Sequence, residues 1–208
     1  MTDWLTDTRA SYDTVAAAYA DAVRGSLTGD PYVRAALSLF ATLAGGDGPV
    51  ADAGCGPGHV TAHLRGLGVD AFGLDLSPAM IDVARRDHPG VRFEVGSMTR
   101  LPLEDASLSG LLAWWSLVHT PDEALPQILS GFHRVLRPGA PLAVGFHAGE
   151  GARLKTEGYG GHPMHVYVYR RTPAAMTARL QEAGFTVEAE LCLDPSTPSP
   201  SAVLFARS

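Results

Sequence analysis

Apolar and polar residues follow two different periods along this chain of 208 residues. Short apolar runs of strand length lie near residues 49–53, 70–75, 91–96, 108–114 and 141–147. Amphipathic segments of helical length lie between them, near 59–67, 78–87 and 121–136. Strands that alternate with helices in this way predict a parallel sheet with helices on both faces.

Two helices are expected before the first strand. Residues 9–24 are rich in alanine and carry an apolar face made of Tyr12, Val15, Ala16, Tyr19 and Val23. A second helix is predicted from Pro31, which suits a first helical position, to about Leu43, where a glycine-rich stretch follows. We interpret residues 1–45 as an N-terminal helical lid.

The second half of the chain has equally clear boundaries. Thr120-Pro121-Asp122-Glu123 combines a capping residue, a proline and an acid, which predicts a helix start. Thr172-Pro173 predicts another helix, which ends near Gly184. The runs 185–193 and 201–207 flank a turn-rich connection and predict a hairpin, so one of them runs antiparallel to the other strands. The complete prediction is an α/β, Rossmann-like fold with a seven-stranded, mostly parallel sheet and an antiparallel C-terminal strand.

Composition limits the classes of function. With 46% hydrophobic residues and 208 residues in total, the chain is interpreted as a single domain over 1–208. The net charge of −6 argues against a nucleic-acid partner. The N-terminus lacks the pattern of a secretion signal, and the most apolar window, 108–118, is too short to cross a bilayer. Cys55 and Cys192 do not form a disulfide framework. We therefore expect a cytoplasmic protein without membrane contact.

The most informative segment is Val50-Ala51-Asp52-Ala53-Gly54-Cys55-Gly56-Pro57-Gly58, an apolar run that ends in an acid and three glycines. Glycines allow the main chain to turn sharply beside a ligand, and the following helix directs free N–H groups to the same place. A second apolar run ends in Asp75, whose carboxylate can accept hydrogen bonds from a ribose diol. The pair predicts a ligand that contains a nucleoside.

A dinucleotide fits this pattern less well. If Gly54 and Gly56 are aligned with the fingerprint G-x-G-x-x-G, the third glycine position falls on His59, whose ring would disturb close packing of helix and strand. Asp52 also places a negative charge where a pyrophosphate would be repelled and a ligand ammonium would be attracted. The ligand is therefore expected to carry a cation.

The segment Asp52–Gly58, together with Gly73-Leu74-Asp75-Leu76-Ser77-Pro78-Ala79-Met80, resembles the class I S-adenosylmethionine-dependent methyltransferases. The resemblance is closest to the small ubiquinone-methyltransferase-like branch (methyltransferase type 11/25), and it runs from about residue 11 to about residue 145. It implies that S-adenosyl-L-methionine is the cofactor.

The resemblance also implies roles for individual residues. Asp52 and the loop Gly54, Cys55, Gly56 and Gly58 would hold the methionine end, although within this loop Cys55 is interpreted as a small filler between glycines. Asp75 would hold the ribose, and the residues implied near the adenine are Leu76, Met80, Ser97 and Met98. Ala113 and Trp114 would line the methionine and sulfonium region, and Tyr12 or Tyr19 would close over it. The apolar and aromatic members of this set can instead be ordinary core.

Methyl transfer demands little beyond an in-line nucleophile and the exclusion of water. His119, just past the fourth strand, and His147, at the tip of the fifth, are the candidate catalytic residues, either as a general base or as contacts for the acceptor. The alternative interpretation, that both are structural histidines, stays open. Residues 149–171 are interpreted as an insertion on the substrate side. No metal is expected, because His59 and His63 lack a third ligand nearby in sequence.

The leading hypothesis is a methyltransferase that moves a methyl group from S-adenosylmethionine to an oxygen, nitrogen or carbon of a small, aromatic or hydrophobic metabolite. The products would be S-adenosylhomocysteine and the methylated acceptor. The partner is thus a small-molecule acceptor, and the protein is expected to be a monomer or a homodimer. Two alternatives stay open: a nicotinamide oxidoreductase, and a subunit that binds the cofactor without catalysis.

Overall fold

The computed structural model describes residues 3–46 and 48–208, apart from the side chain of Thr28. Its helices are α1 (Trp4–Val23), α2 (Ser26–Gly29), α3 (Pro31–Leu43), α4 (His59–Gly66), α5 (Pro78–Asp87), α6 (Leu125–Val135) and α7 (Pro173–Glu182). Its strands are β1 (Val50–Ala53), β2 (Ala71–Asp75), β3 (Phe93–Val95), β4 (Gly110–Trp114), β5 (Pro141–His147), β6 (Ala152–Glu157), β7 (Pro163–Tyr169), β8 (Thr186–Leu193) and β9 (Ser201–Arg207). Two 3₁₀ turns span Leu117–His119 and Tyr159–Gly161.

Seven of the strands form one sheet in the order β3-β2-β1-β4-β5-β9-β8. The first five are parallel to one another, whereas β9 is antiparallel to both β5 and β8. The predicted fold class, with its antiparallel C-terminal strand, is confirmed. The strand order reverses between β1 and β4, and in open α/β sheets the carboxyl ends of the strands at such a point form a crevice.

The two faces of the sheet are covered by different helices, as expected. Successive side chains of a strand point to opposite faces. Residues Val50, Leu112 and Ala143 therefore pack with α3 and α4 on one face. The neighbouring residues Ala51, Leu111 and Val144 pack with α6 and α7 on the other face. Because both faces are buried, the central strands read as continuous apolar runs rather than as an alternating pattern.

Two helix starts differ from the sequence prediction. Helix α1 begins at Trp4, earlier than residue 9, because the carboxylate of Asp3 accepts a hydrogen bond from the N–H of Leu5 and caps it. Helix α6 begins at Leu125 rather than at Pro121. The chain makes a separate turn first, in which the N–H of Ala124 donates to the carbonyl of Pro121. The hydroxyl of Thr120 is buried without a hydrogen-bond partner, so it caps no helix.

The segment 149–171 contains a hairpin that the sequence pattern did not predict. Strands β6 and β7 pair antiparallel as a separate two-stranded sheet. The hairpin packs against α1, where Val15 contacts Met164 and Val166 in a small apolar cluster. The N-terminal helix and the hairpin therefore support each other above the main sheet.

The described residues contain neither a candidate membrane span nor a candidate metal cluster. In ranges 3–46 and 48–208, no helix has both the length and the apolar character that a membrane crossing requires. In the same ranges, no cluster of three or more His, Cys, Asp or Glu side chains is arranged to hold a metal ion.

Candidate functional site

A cavity with an empty volume of about 730 Å³ lies at the carboxyl ends of β1, β2 and β4. Its lining is Trp4, Leu5, Thr8, Tyr12, Tyr19, Gly54, Gly56, Asp75, Leu76, Gly96, Ser97, Met98, Thr99, Trp114, Trp115, Ser116 and His119. A second lobe of about 580 Å³ is lined by Asp52, Cys55, His59 and others. Tyr19, Gly54, Gly56, Trp114 and Trp115 line both lobes. The two lobes therefore meet over the glycine turn.

The three glycines of the turn have different neighbours. All have positive φ, at +77° for Gly54, +54° for Gly56 and +80° for Gly58, a region that side chains disfavour. A Cβ on Gly54 would collide with Ser116, and one on Gly58 would lie 2.5 Å from Cζ of Phe93. A Cβ on Gly56 would meet only the Tyr19 ring, at 3.5 Å. Gly56 therefore faces the cavity, whereas Gly58 packs into the core.

Asp52, at the end of β1, is only 1% exposed. Its Oδ2 accepts a hydrogen bond of 2.6 Å from the hydroxyl of Thr61, and its Oδ1 has no partner among the residues that the structure describes. Burial raises the pKa of this carboxyl to about 7, while the Thr61 hydrogen bond lowers it and the nearby Asp75 raises it further. An unpartnered buried oxygen at a cavity wall suits a cationic hydrogen-bond donor.

Asp75, at the end of β2, connects two chain segments. Its Oδ2 accepts from the N–H of Gly56 at 2.8 Å, and its Oδ1 accepts from the N–H of Ser77 at 2.8 Å. Burial raises the pKa of this carboxyl, and the two backbone hydrogen bonds oppose that shift. Each carboxylate oxygen has capacity for a further hydrogen bond from a ligand in the main lobe.

Tyr12 and His119 form a neutral hydrogen-bonded pair in the main lobe. Nδ1 of His119 lies 2.8 Å from the carbonyl oxygen of Tyr167, which can only accept, so Nδ1 carries the proton. Nε2 then accepts from the Tyr12 hydroxyl at 2.8 Å. Burial lowers the pKa of His119 to about 4, despite the Tyr167 hydrogen bond, and burial raises the pKa of Tyr12. Both side chains are therefore uncharged near neutrality.

Three consecutive residues of α1 anchor the helix above the cavity. The hydroxyl of Ser11 accepts from the N–H of His165 in the hairpin, at 2.8 Å. Tyr12 reaches the 3₁₀ turn after β4 through its bond to His119. Asp13 accepts from the hydroxyl of Ser77 at 2.6 Å, at the start of α5. The helix is thus fixed to three other parts of the fold at once.

Arg171 supports the turn that carries His119. This arginine is 7% exposed and lies directly after the hairpin. Its guanidinium donates to the carbonyl oxygens of Leu117 at 3.3 Å and Thr120 at 2.5 Å. It also donates to the carboxylate of Asp122 at 2.9 Å. Sequence analysis did not single out this residue, because its partners are carbonyls that are distant in sequence.

The structure brings together many of the residues that the sequence singled out. Those that line one or both lobes are Tyr12, Tyr19, Asp52, Gly54, Cys55, Gly56, Asp75, Leu76, Ser97, Met98, Trp114 and His119. Gly58, Met80 and Ala113 do not line either lobe. Met80 and Ala113 are fully buried, the former against α1 and the latter in the main core. Their positions are those of packing residues.

The two candidate catalytic histidines are separated. His147 lines a different groove, and its ring lies 6.5 Å from the ring of Trp115. Trp115 lines the main lobe, whereas His147 is not among the residues of that lining. Burial lowers the pKa of His147, and the charges of Arg170 and Lys155 add to that effect. Of the two histidines, His119 therefore lines the main lobe and His147 lines the other groove.

Several lining residues were not predicted. Trp4, Leu5 and Thr8 reach the main lobe because α1 starts one turn earlier than its alanine-rich part suggested. Their helical spacing in the sequence was the available signal. Trp115 adopts φ +51°, and its N–H donates to the carbonyl of Gly145 at 2.9 Å. No sequence rule predicts a tryptophan in that conformation.

Residues 50–139 match the family described as methyltransferase domain. Malonyl-[acyl-carrier protein] O-methyltransferase of Pectobacterium atrosepticum is 36% identical over 98 residues, which cover 45% of this chain and 36% of that protein. A probable S-adenosylmethionine-dependent methyltransferase of Mycolicibacterium smegmatis is 32% identical over 145 residues, which cover 67% of this chain and 52% of that protein.

Among solved structures, the chain resembles the Burkholderia thailandensis 1,6-didemethyltoxoflavin-N1-methyltransferase with bound 1,6-didemethyltoxoflavin and S-adenosylhomocysteine. The TM-score is 0.71 at 24% identity, and the match covers 98% of this chain and 86% of that one. The chain spans between about a third and about half of the length of the curated relatives named above. The family match over the glycine turn and both aspartates, together with the strand order of the sheet, identifies the chain as a member of the class I S-adenosylmethionine-dependent methyltransferases, of the type 11/25 kind.

Proposed function

We propose that this chain transfers a methyl group from S-adenosylmethionine to an oxygen, nitrogen or carbon of a small, aromatic or hydrophobic metabolite. The observation that carries the proposal is the two-lobed cavity above Gly56, with one aspartate in each lobe. S-adenosylmethionine likewise has two polar ends, an amino acid and a nucleoside, which are joined at the sulfonium. Matched proteins are named for O-methylation and for N-methylation, so the acceptor atom stays open.

In this proposal the amino acid end occupies the lobe of Asp52. The unpartnered Oδ1 of Asp52 accepts a hydrogen bond from the ligand ammonium, and Thr61 holds the other oxygen. The carboxylate of the ligand approaches the main chain at Gly56, where no Cβ intervenes. The adjacent N-terminus of α4 contributes a partial positive charge.

The nucleoside end occupies the lobe of Asp75. The two Asp75 oxygens, already oriented by the N–H groups of Gly56 and Ser77, accept the ribose hydroxyls. Leu76 and Met98 offer apolar surface to the adenine. The family that this chain resembles often has an acidic residue near the adenine amine, and Ser97 stands at that position here. The hydroxyl of Ser97 lies 2.8 Å from that of Thr99, so adenine contacts rest more on the main chain.

Aromatic rings surround the place where the two lobes meet. Tyr19 and Trp114 line both lobes, and the ring of Tyr12 lies edge-on to that of Tyr19, with centroids 5.8 Å apart. The faces of such rings stabilise a cation through their quadrupole, and a sulfonium is a cation. They also exclude water from the reacting atoms, which leaves the methyl group to the acceptor.

His119 acts through Tyr12 in this proposal and is not a general base. Its Nε2 is occupied by the Tyr12 hydroxyl, and a pKa of about 4 makes it a weak base at neutral pH. The pair instead fixes the position of Tyr12 and, with it, helix α1. Methyl transfer then relies on proximity and orientation, because the sulfonium methyl is already activated.

The arrangement of the whole chain follows from the same proposal. The chain forms a single domain over residues 1–208. Its N-terminal helical segment, residues 1–45, acts as a lid over the cofactor. The segment of residues 149–171 covers the acceptor side. The acceptor is a small molecule rather than nucleic acid, since the net charge is −6. Cys55 and Cys192 are both free, which suits a reducing compartment such as the cytoplasm. A monomer or a homodimer is compatible with this arrangement.

Calorimetry with S-adenosylhomocysteine tests the proposal. Asp75→Ala removes two charge-assisted hydrogen bonds to the ribose, so we expect affinity to fall by about 100-fold, or about 3 kcal/mol. Gly56→Val should abolish binding, because its side chain would project into the cavity. Product formation is then sought by mass spectrometry with S-adenosylmethionine and a panel of phenols, amines and carboxylic acids.

Two matched variants separate ligand contact from folding. Asp70→Ala removes an exposed acid that pairs with Arg65 before the same strand, and it should bind the ligand normally. Gly139→Val imposes the same backbone strain at φ +76° in open space, remote from the cavity. Unchanged affinity in both Asp75→Ala and Gly56→Val would refute the assigned cofactor site. Binding of NADH in place of S-adenosylhomocysteine would favour an oxidoreductase, and binding without any methylated product would favour a non-catalytic subunit.

A further inference from the structure

A second concave surface, which we call the basic groove, lies between the hairpin β6–β7 and the end of β5. Its empty volume is about 1060 Å³. It is lined by three cations, Arg153, Lys155 and Arg170, together with His147 and one acid, Glu150. The local balance is therefore positive, on a chain whose net charge is −6.

The cations of the basic groove lack acidic partners. Within the described ranges 3–46 and 48–208, no ion pair joins Arg153, Lys155 or Arg170 to a carboxylate. Arg170 is held by neutral acceptors, the carbonyl of Pro198 at 2.9 Å and the hydroxyl of Ser199 at 3.3 Å. Its guanidinium is thus fixed in place while its charge stays unbalanced.

The titration of neighbouring groups reflects the same positive field. Burial lowers the pKa of Lys155, and the charge of Arg153 lowers it further. Burial also lowers the pKa of His147, followed by the charges of Arg170 and Lys155. Neighbouring cations disfavour additional positive charge, and a bound anion would relieve that repulsion.

The basic groove is adjacent to the cavity. Trp115 lines the cavity on one side and contacts the ring of His147 on the other. Nζ of Lys155 lies 4.2 Å from the centre of the Tyr159 ring, which in turn packs edge-on against Tyr19 at 4.6 Å. Aromatic side chains therefore connect the lining of the cavity with the cations of the basic groove.

We propose that the acceptor carries an anionic group, a carboxylate or a phosphate monoester, which Arg153, Lys155 and Arg170 bind in the basic groove. This inference rests on the proposed function. The apolar part of the acceptor then extends along these aromatic side chains towards the cavity, so that its nucleophilic atom faces the sulfonium. Arginine suits this role, because its planar fork of donors matches the oxygens of both anions. The positive field also attracts such an acceptor from solution.

The test uses the full chain, with and without saturating S-adenosylhomocysteine, and three probes of similar shape. Phenyl phosphate and phenylacetate carry the two candidate anions, and phenylacetamide is neutral. Affinity is measured by calorimetry, and the site by amide chemical shifts. The double variant Arg153→Gln/Arg170→Gln removes two groove cations. Its control, Arg86→Gln/Arg179→Gln, removes two exposed arginines that pair with acids in their own helices, at the same cost in net charge.

We expect one or both anions to bind and to shift the backbone amide signals of residues 152–155 and 168–170. Neutral phenylacetamide should not shift these signals. Each lost guanidinium should weaken anion binding by about tenfold or more, and the control should bind normally. The anion that binds more tightly identifies the acceptor class. Equal binding in both double variants, or no preference over phenylacetamide, would overturn the inference. Failure of the chain to bind S-adenosylhomocysteine would instead reject the proposed function. The anion titration without S-adenosylhomocysteine would still show whether the basic groove binds anions.

Discussion

Asp52 offers a direct test of the proposed cofactor orientation, because its ionisation should control ligand affinity. The carboxyl has a pKa of about 7 in the free protein, mainly through burial. The ammonium of S-adenosylhomocysteine pairs with the ionised form and not with the protonated form. Binding should therefore weaken as the pH falls through 7, and the bound complex should release a proton as it forms.

The magnitude follows from that pKa. Between about pH 7.5 and about pH 5.5, the ionised fraction of a group with a pKa near 7 falls by about 25-fold, which corresponds to about 2 kcal/mol of binding free energy. Asp52→Asn keeps an acceptor for the Thr61 hydroxyl but removes the charge. We expect this variant to bind weakly at every pH, with a flat profile. Thr61→Val removes the hydrogen bond that lowers the pKa, so its profile should move to higher pH.

The assay is calorimetry with S-adenosylhomocysteine across this range, in buffers of different ionisation enthalpy so that proton release is counted. Asp70→Asn, an exposed acid, is the control and should follow the wild-type profile. Stability gives a second readout. The folded state retains a proton on Asp52 that the unfolded chain releases at lower pH, so the contribution of Asp52 to the free energy of unfolding, measured without ligand as the difference between wild type and Asp52→Asn, should decrease as pH rises towards 7. A wild-type affinity independent of pH, and equal to that of Asp52→Asn, would refute the pairing.

Three further substitutions test the supports of the site, each by urea denaturation. Tyr12→Phe leaves Nε2 of His119 without a partner, and we expect a loss of about 1 kcal/mol and faster dissociation of S-adenosylhomocysteine. Arg171→Met removes the donor to the buried carbonyl of Thr120 and one of two donors to the carbonyl of Leu117, and it should cost about 2 kcal/mol or more. Gly58→Ala adds a Cβ 2.5 Å from the Phe93 ring and should cost about 2 kcal/mol beyond its backbone strain.

Each of these variants has a matched control. Tyr32→Phe alters an exposed tyrosine and should leave stability unchanged. Arg179→Met removes an arginine paired only at the surface, so a loss as large as that of Arg171→Met would contradict the role assigned to the buried guanidinium. Gly68→Ala has φ +87° and open space around its Cβ. If it were as destabilising as Gly58→Ala, backbone conformation alone would explain the effect.

Local signals were sufficient for most of the architecture. The apolar runs of β1, β4 and β5 read as continuous because both faces of the sheet are covered, and that pattern is visible in sequence. Thr172 caps α7 as expected, since its hydroxyl accepts from the N–H of Ala175. The predicted start of α6, at Pro121, was wrong. The residues before the helix contact Arg171, which lies far away in sequence.

The residues of the cavity also divide into those that a local sequence signal indicates and those that depend on distant parts of the chain. Gly56 and the two aspartates are local features at strand ends, so the glycine motif pointed to them directly. Met80 has the spacing of a lining residue, yet α1 covers it completely. The pairing of Tyr12 with His119 joins residues 107 positions apart, and no periodicity encodes it.

The amino-acid sequence by itself determined the order of the strands of the main sheet and of the longer helices, the glycine turn and the acids at the tips of β1 and β2, because each depends on neighbours within a few residues. Tertiary structure decided which side chains line the cavity, which histidine reaches it, and where cations gather. Burial and pKa depend on what packs around a group, and those neighbours come from distant parts of the chain. Asp52 illustrates both levels, since its position is set by a local motif and its raised pKa by the protein that encloses it.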